Sequence, residues 1–62
     1  MKILVVDDDL VDRTITATLL RKLGHDVVEA SNAMAALRAM QKQRFTVVVS
    51  DRIMPGLSGI DL

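Results

Sequence analysis

The chain has 62 residues, a formal net charge of zero, no cysteine and one phenylalanine. This length predicts one small domain, and the absence of cysteine excludes a disulfide-rich scaffold and favours a cytoplasmic protein. The basic residues are scattered from Lys2 to Arg52 and the apolar runs are short, so neither a nucleic-acid partner nor a membrane span is expected.

The first predicted element is an aliphatic strand, Lys2 to Val6, which ends on three consecutive aspartates, Asp7, Asp8 and Asp9. A helix follows, in which Asp9 can cap the N-terminus and Gly24 can cap the C-terminus. The apolar residues at helical spacing in this segment are Val11, Ile15, Leu19, Leu20 and Leu23.

A second strand, a second helix and a third strand follow in that order. Val27 to Ala30 form the second strand, and either Ser31 or Asn32 caps the helix after it. The third strand, Phe45 to Ser50, has apolar residues at consecutive positions, which is typical of a parallel strand buried on both faces. The apolar face of the second helix consists of Ala33, Ala36, Leu37 and Met40.

The order βαβαβ predicts an α/β fold with a three-stranded parallel sheet. Right-handed crossovers with the two helices on opposite faces give the strand order 2-1-3. Strands 1 and 3 are then neighbours where the winding reverses, and ligands bind beyond the carboxyl ends of strands at such a point. The residues at those two ends are Asp7, Asp8 and Asp51.

Three carboxylates at one edge of a sheet repel one another, so a cation is expected among them. Mg²⁺ fits best, because it takes oxygen ligands and often binds through one or two carboxylates together with phosphate oxygens. A carboxylate beside such an ion can act as a nucleophile toward a phosphoryl group. The alternative is purely structural, with Asp7 to Asp9 capping a helix and Asp51 starting a turn.

Three stretches, ILVVDDD, DVVEASNAMAAL and VVVSDRIMPGLSGIDL, resemble the first half of the receiver domain of two-component response regulators. The similarity extends along the whole chain, and the signature DxxMPxxxG begins at Asp51. The resemblance implies half of a flavodoxin-like, doubly wound fold, with residues 1–62 as a truncated receiver domain.

The resemblance also implies a function and its residues. Asp51 corresponds to the phospho-acceptor, Asp7 and Asp8 to the metal-binding pair, and the main-chain carbonyl of Ile53 to a further Mg²⁺ ligand beside Asp51. The implied partner is a histidine kinase or a phosphotransfer protein, and a small acyl phosphate can also serve as donor. The output is conformational, so the chain is not expected to be an enzyme.

Two departures from the family pattern affect the expected activity. The family's domain is about twice as long, and its second half supplies a Ser or Thr and a Lys that contact the phosphoryl group. Because no residue here replaces them, we expect slow phosphoryl transfer.

The short chain also leaves the third strand as an open edge, which predicts a homodimer formed either by antiparallel edge pairing or by exchange of elements. Two other functional classes remain open. The chain can be a self-assembling structural half-domain without phosphoryl chemistry. It can also be an aspartate-nucleophile phosphohydrolase, although that family has a second Asp where Ile53 stands here.

Overall fold

The computed structural model describes residues 1–50 and contains the five predicted elements in the predicted order. The expectations for Asp51 and Ile53 lie outside the described residues. The elements are β1 (Lys2–Val6), α1 (Leu10–Lys22), β2 (Asp26–Ala30), α2 (Ala33–Lys42) and β3 (Val47–Ser50).

The three strands form one parallel sheet in the order β2-β1-β3, which confirms the predicted topology. Along the ladder between β1 and β2, Val6 pairs with Ala30, and along the ladder between β1 and β3, Val6 pairs with Ser50. All three strands therefore end at the same edge of the sheet, as a ligand site beyond their carboxyl ends requires.

The core lies on both faces of the sheet because β1, the central strand, has apolar side chains at consecutive positions. Ile3 and Val5 pack on the face covered by α1, where Ala17 is fully buried. Leu4 and Val6 pack on the opposite face, in the cluster that contains the α2 residue Ala36. Alternate side chains of a strand point to opposite faces, so an unbroken apolar strand fits between two helical layers.

Both helix N-termini are capped by side chains. The Asp9 carboxylate accepts from the amides of Val11 and Asp12, at 2.9 and 3.3 Å, as predicted. Of the two candidates at α2, Asn32 is the cap, and its side-chain oxygen accepts from the Ala35 amide at 2.8 Å. These oxygens satisfy amides that have no partner within the helix.

The C-terminus of α1 ends in a Schellman motif centred on Gly24. Gly24 has φ of +91°, a conformation that glycine adopts without the steric cost of a Cβ atom. Its amide donates to the Arg21 carbonyl at 3.0 Å, and the His25 amide donates to the Leu20 carbonyl at 3.2 Å. This motif turns the chain directly into β2.

Most of the apolar stripe of α1 faces away from the sheet, although its helical spacing suggested a buried face. Of its five residues, Leu20 packs against the core. Val11, Ile15, Leu19 and Leu23 are each more than half exposed, whereas Ala17 is fully buried against the sheet. Periodicity shows which residues share a face of a helix, but the connections at each end decide which face meets the sheet. A small residue at the contact lets the α1 backbone approach β1 closely.

The third strand begins at Val47, two residues later than the sequence predicted. The Thr46 amide still donates to the Lys2 carbonyl at 2.8 Å, just before the ladder, and Phe45 packs at the edge of the core on the α2 face. Within residues 1–50, β3 pairs only with β1, and Val47 is 39% exposed. None of the helices in that part of the chain is long and apolar enough to span a membrane.

Candidate functional site

The acidic turn, residues 7–9, lies at the edge of the sheet where β1 and β3 end. Val6 and Ser50 are register partners, so the chain leaves both strands at the same step of the ladder. The next residue after Val6 is Asp7, and the next residue in the sequence after Ser50 is Asp51. Asp51 and Ile53, the predicted acceptor and backbone ligand, lie outside the described residues.

Asp7 is the buried member of the acidic turn, with 2% of its surface exposed. Its amide donates to the Ala30 carbonyl at 3.1 Å, which extends the pairing of β1 and β2 by one residue. Its carboxylate Oδ1 accepts from the Asp9 amide at 2.9 Å, and its main-chain carbonyl accepts from Arg13 Nη1 at 2.9 Å. Hydrogen bonds therefore fix the main chain of Asp7 on both sides and restrain its side chain.

The other two aspartates of the turn have different positions. Asp9 is the N-cap of α1, so the structural explanation accounts for this residue. Asp8 is exposed, directly between the buried Asp7 and the cap. Helix capping by Asp9 does not explain the two carboxylates before it. Asp7 and Asp8 therefore remain the candidate pair for cation binding.

The acidic pair fits part of a magnesium site. No group of three His, Cys, Asp or Glu side chains within residues 1–50 is arranged to hold a metal ion. Mg²⁺, however, keeps several water ligands and commonly binds through one or two carboxylates, so Asp7 and Asp8 match the protein share of such a site. The other two predicted ligands, Asp51 and Ile53, belong to the part of the chain that is not described.

The lysines of the described region lie at the opposite edge of the sheet. Lys2 begins β1, and its Nζ lies 3.6 Å from a carboxylate oxygen of Asp26 at the start of β2. Lys22 and Lys42 end α1 and α2, whose C-termini are connected to the starts of the next strands. This arrangement agrees with the sequence argument that no lysine among these residues contacts a phosphoryl group at the acidic edge.

Two residues that the sequence analysis did not single out support the acidic turn. Arg13 on α1 donates to the Asp7 carbonyl and also forms an ion pair with Glu29 on β2, at 3.3 Å. Side chains on a helix point back toward its N-terminus, so an arginine four residues after the cap can reach the preceding turn. The sequence also contained a sign of the partner of Arg13, because Glu29 interrupts the otherwise apolar end of the strand DVVEA.

Comparison with known proteins points to the same family that the sequence motifs resemble. Residues 3–62 match the family model of the response regulator receiver domain. The chemotaxis protein CheY-3 of Vibrio cholerae is 48% identical over 63 residues, which cover 100% of this chain and 48% of that protein. The CAI-1 autoinducer sensor kinase/phosphatase CqsS of the same species is 40% identical over 60 residues, covering 97% of this chain and 9% of that protein.

A solved structure shows the same arrangement of elements. The chemotaxis response regulator CheY4 of Vibrio cholerae superposes with a TM-score of 0.80 at 39% identity, covering 87% of this chain and 45% of that structure. The chain thus spans about half the length of its chemotaxis relatives. Its fold is the corresponding part of a flavodoxin-like sheet, and the chain belongs to the response regulator receiver domains of two-component signalling, matching the N-terminal part of such a domain.

Proposed function

We propose that this chain carries the phospho-acceptor of a receiver domain at Asp51. In this proposal the carboxylates of Asp7, Asp8 and Asp51 and the main-chain carbonyl of Ile53 hold Mg²⁺. A histidine kinase or a phosphotransfer protein in the cytoplasm supplies the phosphoryl group. The observation that carries the proposal is the register of Val6 with Ser50, because the residues that follow them are Asp7 and Asp51.

The proposed reaction is a phosphoryl transfer to a carboxylate. An oxygen of Asp51 attacks phosphorus and forms a P–O bond, while the bond from phosphorus to the donor imidazole nitrogen breaks. The departing imidazole keeps the bonding electron pair and takes a proton from solvent. Mg²⁺, when bound, neutralises charge on the phosphoryl oxygens. Asp7 and Asp8 supply the negative charge and the fixed oxygens that hold the cation.

We propose that transfer to these 62 residues alone is slow. The Ser or Thr and the Lys that the family's second half supplies have no counterpart among them, and electrostatic stabilisation of the moving phosphoryl group is most of the catalysis. The chain is therefore a stoichiometric acceptor with a conformational output, and not an enzyme that turns over a metabolite.

Phosphoryl uptake from acetyl phosphate and Mg²⁺, followed by intact-protein mass spectrometry, tests the proposal. Asp51→Asn should abolish the added phosphoryl mass, because an amide oxygen is a poor nucleophile. Asp12→Asn is the matched control, since it removes one exposed carboxylate of the same region and should leave uptake unchanged. Equal uptake by Asp51→Asn and the unsubstituted chain would contradict the assignment of Asp51. No uptake by the unsubstituted chain even after prolonged incubation would contradict the proposal that these residues accept a phosphoryl group.

Assembly into a homodimer without phosphoryl chemistry is a second candidate function, and separate observations support it. Within residues 1–50, β3 is an edge strand and most of the apolar stripe of α1 is exposed, and both are surfaces on which another chain can pack. Pairing can be antiparallel through β3 or can exchange whole elements. Asp51→Asn separates the two functions, because assembly should be unaffected when phosphoryl uptake is lost.

A further inference from the structure

We infer that Arg13 is a positioning residue for the acidic turn, and that Glu29 holds Arg13 in place. The inference deepens the proposed function, because its consequence for cation binding rests on the metal role of Asp7 and Asp8. Arg13 itself does not ligate a cation. It binds the main chain of Asp7 and thereby sets the direction in which the two carboxylates leave the sheet.

The planar guanidinium of Arg13 contacts two separate parts of the fold, the acidic turn and β2. Its Nη1 donates to the Asp7 carbonyl at 2.9 Å, and its Nε donates to Glu29 Oε1 at 3.3 Å. The side chain is 15% exposed, so solvent competes little for these donors. A guanidinium holds several donors in a rigid fork, whereas a lysine presents a single flexible ammonium that does not reproduce both contacts.

Glu29 connects this guanidinium to the sheet. It lies on β2 opposite Val5 of the central strand, with its side chain 27% exposed. Its second oxygen, Oε2, accepts from Arg21 Nη1 at 3.3 Å, and Arg21 Nη2 donates to the Val27 carbonyl at 3.2 Å. Glu29 is therefore held from both sides, and Arg13 is tied to a rigid part of the fold.

The consequence concerns the main chain of Asp7. The Asp7 amide is bonded to the Ala30 carbonyl, and the Asp7 carbonyl to Arg13, so both of its peptide groups are oriented by neighbours. Without Arg13, this carbonyl of a residue that is 2% exposed loses its charged donor. Losing a charged hydrogen bond at a buried carbonyl is unfavourable, and the turn is expected to rotate this carbonyl toward water, moving the carboxylates with it.

The charge of Arg13 and its positioning of the acidic turn have opposite effects on cation affinity, so an experiment can distinguish them. A positive side chain beside two carboxylates opposes the binding of a cation, so removing its charge alone raises cation affinity. Removing a group that orients the ligands lowers cation affinity. Glu29 compensates the charge of Arg13, so the positioning effect should dominate when Arg13 is replaced.

The first test uses no metal and follows hydrogen exchange of the Asp9 amide by NMR in the 62-residue chain. This amide donates to the Asp7 carboxylate at 2.9 Å, so it reports directly on the geometry of the turn. Arg13→Gln should speed its exchange about tenfold relative to the core amides of β1, the factor expected for losing one charged hydrogen bond. Arg38→Gln is the matched control, because it removes an exposed guanidinium on α2 that is not part of this network, and it should change the ratio by less than about twofold.

The second test titrates Mg²⁺ and follows the Asp8 and Asp9 amide shifts. Arg13→Gln should weaken binding about tenfold, the lower end for outer supports of metal ligands. Arg13→Lys keeps the charge without the fork and should recover only part of this loss, and Glu29→Gln should weaken binding in the same direction. If Arg13→Gln does not fold, Arg13→Lys measured against Arg38→Gln makes the same comparison.

Three results would overturn the inference: unchanged Asp9 exchange in Arg13→Gln, tighter Mg²⁺ binding by that variant, or equal effects of Arg13→Gln and Arg38→Gln. Absence of Mg²⁺ binding by the unsubstituted chain contradicts the proposed metal role instead. In that case accelerated Asp9 exchange in Arg13→Gln still supports the positioning of the turn by Arg13.

Discussion

Val6 and Ser50 are register partners at the ends of two adjacent parallel strands. Because the chain leaves both strands at the same step, the residues after them start from one edge of the sheet. The residue after Val6 is an aspartate with 2% exposure, fixed by hydrogen bonds to α1 and β2. The buried aliphatic strand β1 therefore brings the carboxylate of Asp7 to this edge.

Removing the exposed carboxylate of the acidic pair should reduce cation binding without unfolding the chain. We expect Asp8→Asn to weaken Mg²⁺ binding at least about tenfold, since a charge contact near a protein surface contributes ~1–4 kcal/mol. Because Asp8 is exposed, the free energy of unfolding should change by less than about 0.5 kcal/mol. Calorimetric titration and urea unfolding measure the two quantities. Asp12→Asn controls for net charge, and an equal loss of affinity in that variant would show that charge alone is sensed.

The cap of α2 can be tested with two adjacent residues. Asn32→Ala should lower the free energy of unfolding by about 1 kcal/mol, because the Ala35 amide loses its acceptor. Ser31→Ala should have little effect, since Ser31 is exposed and precedes the cap. Urea unfolding followed by circular dichroism measures both. Equal losses in the two variants would show that the cap is shared.

The orientation of α1 predicts opposite tolerances on its two faces. Ile15→Gln should change the free energy of unfolding by less than about 0.5 kcal/mol, because Ile15 is 54% exposed. Ala17→Leu should cost about 1–3 kcal/mol, because the larger side chain does not fit between α1 and β1. Urea unfolding at low protein concentration, where association is minimal, gives both values. The reverse ranking would mean that the apolar stripe faces the sheet.

The homodimer proposal predicts a specific effect of charge at the β3 edge. Light scattering over a concentration series should show a dimer, and Val47→Lys should shift the midpoint to higher concentration by about tenfold or more, because edge lysines disfavour strand pairing. Met34→Lys is the control, since Met34 is also an exposed apolar residue but lies on α2, away from the β3 edge. A dimer unaffected by Val47→Lys but weakened by Ile15→Gln would place the interface on α1 instead of β3.

The element order, the strand order 2-1-3 and the cap at Asp9 could all be predicted from sequence, and the structure confirms them. Each of the three depends on local chemistry or on the chirality of the chain, and none requires knowledge of side-chain packing. The choice between Ser31 and Asn32 could not be made, because both residue types can cap a helix. The roles proposed for Asp51 and Ile53 remain predictions.

What the sequence determined by itself was therefore the order of the elements and the placement of aspartates at strand ends, because apolar patterning and turn chemistry are written along the chain. Only the tertiary structure decided which face of α1 is buried and which residues support Asp7. Ala17 meets the sheet because the turns at both ends of α1 set its rotation. Hydrogen bonds connect Arg13 on α1 with Glu29 on β2 and with Asp7 in the acidic turn. Such contacts depend on distances between segments far apart in sequence, and periodicity within one segment carries no information about them.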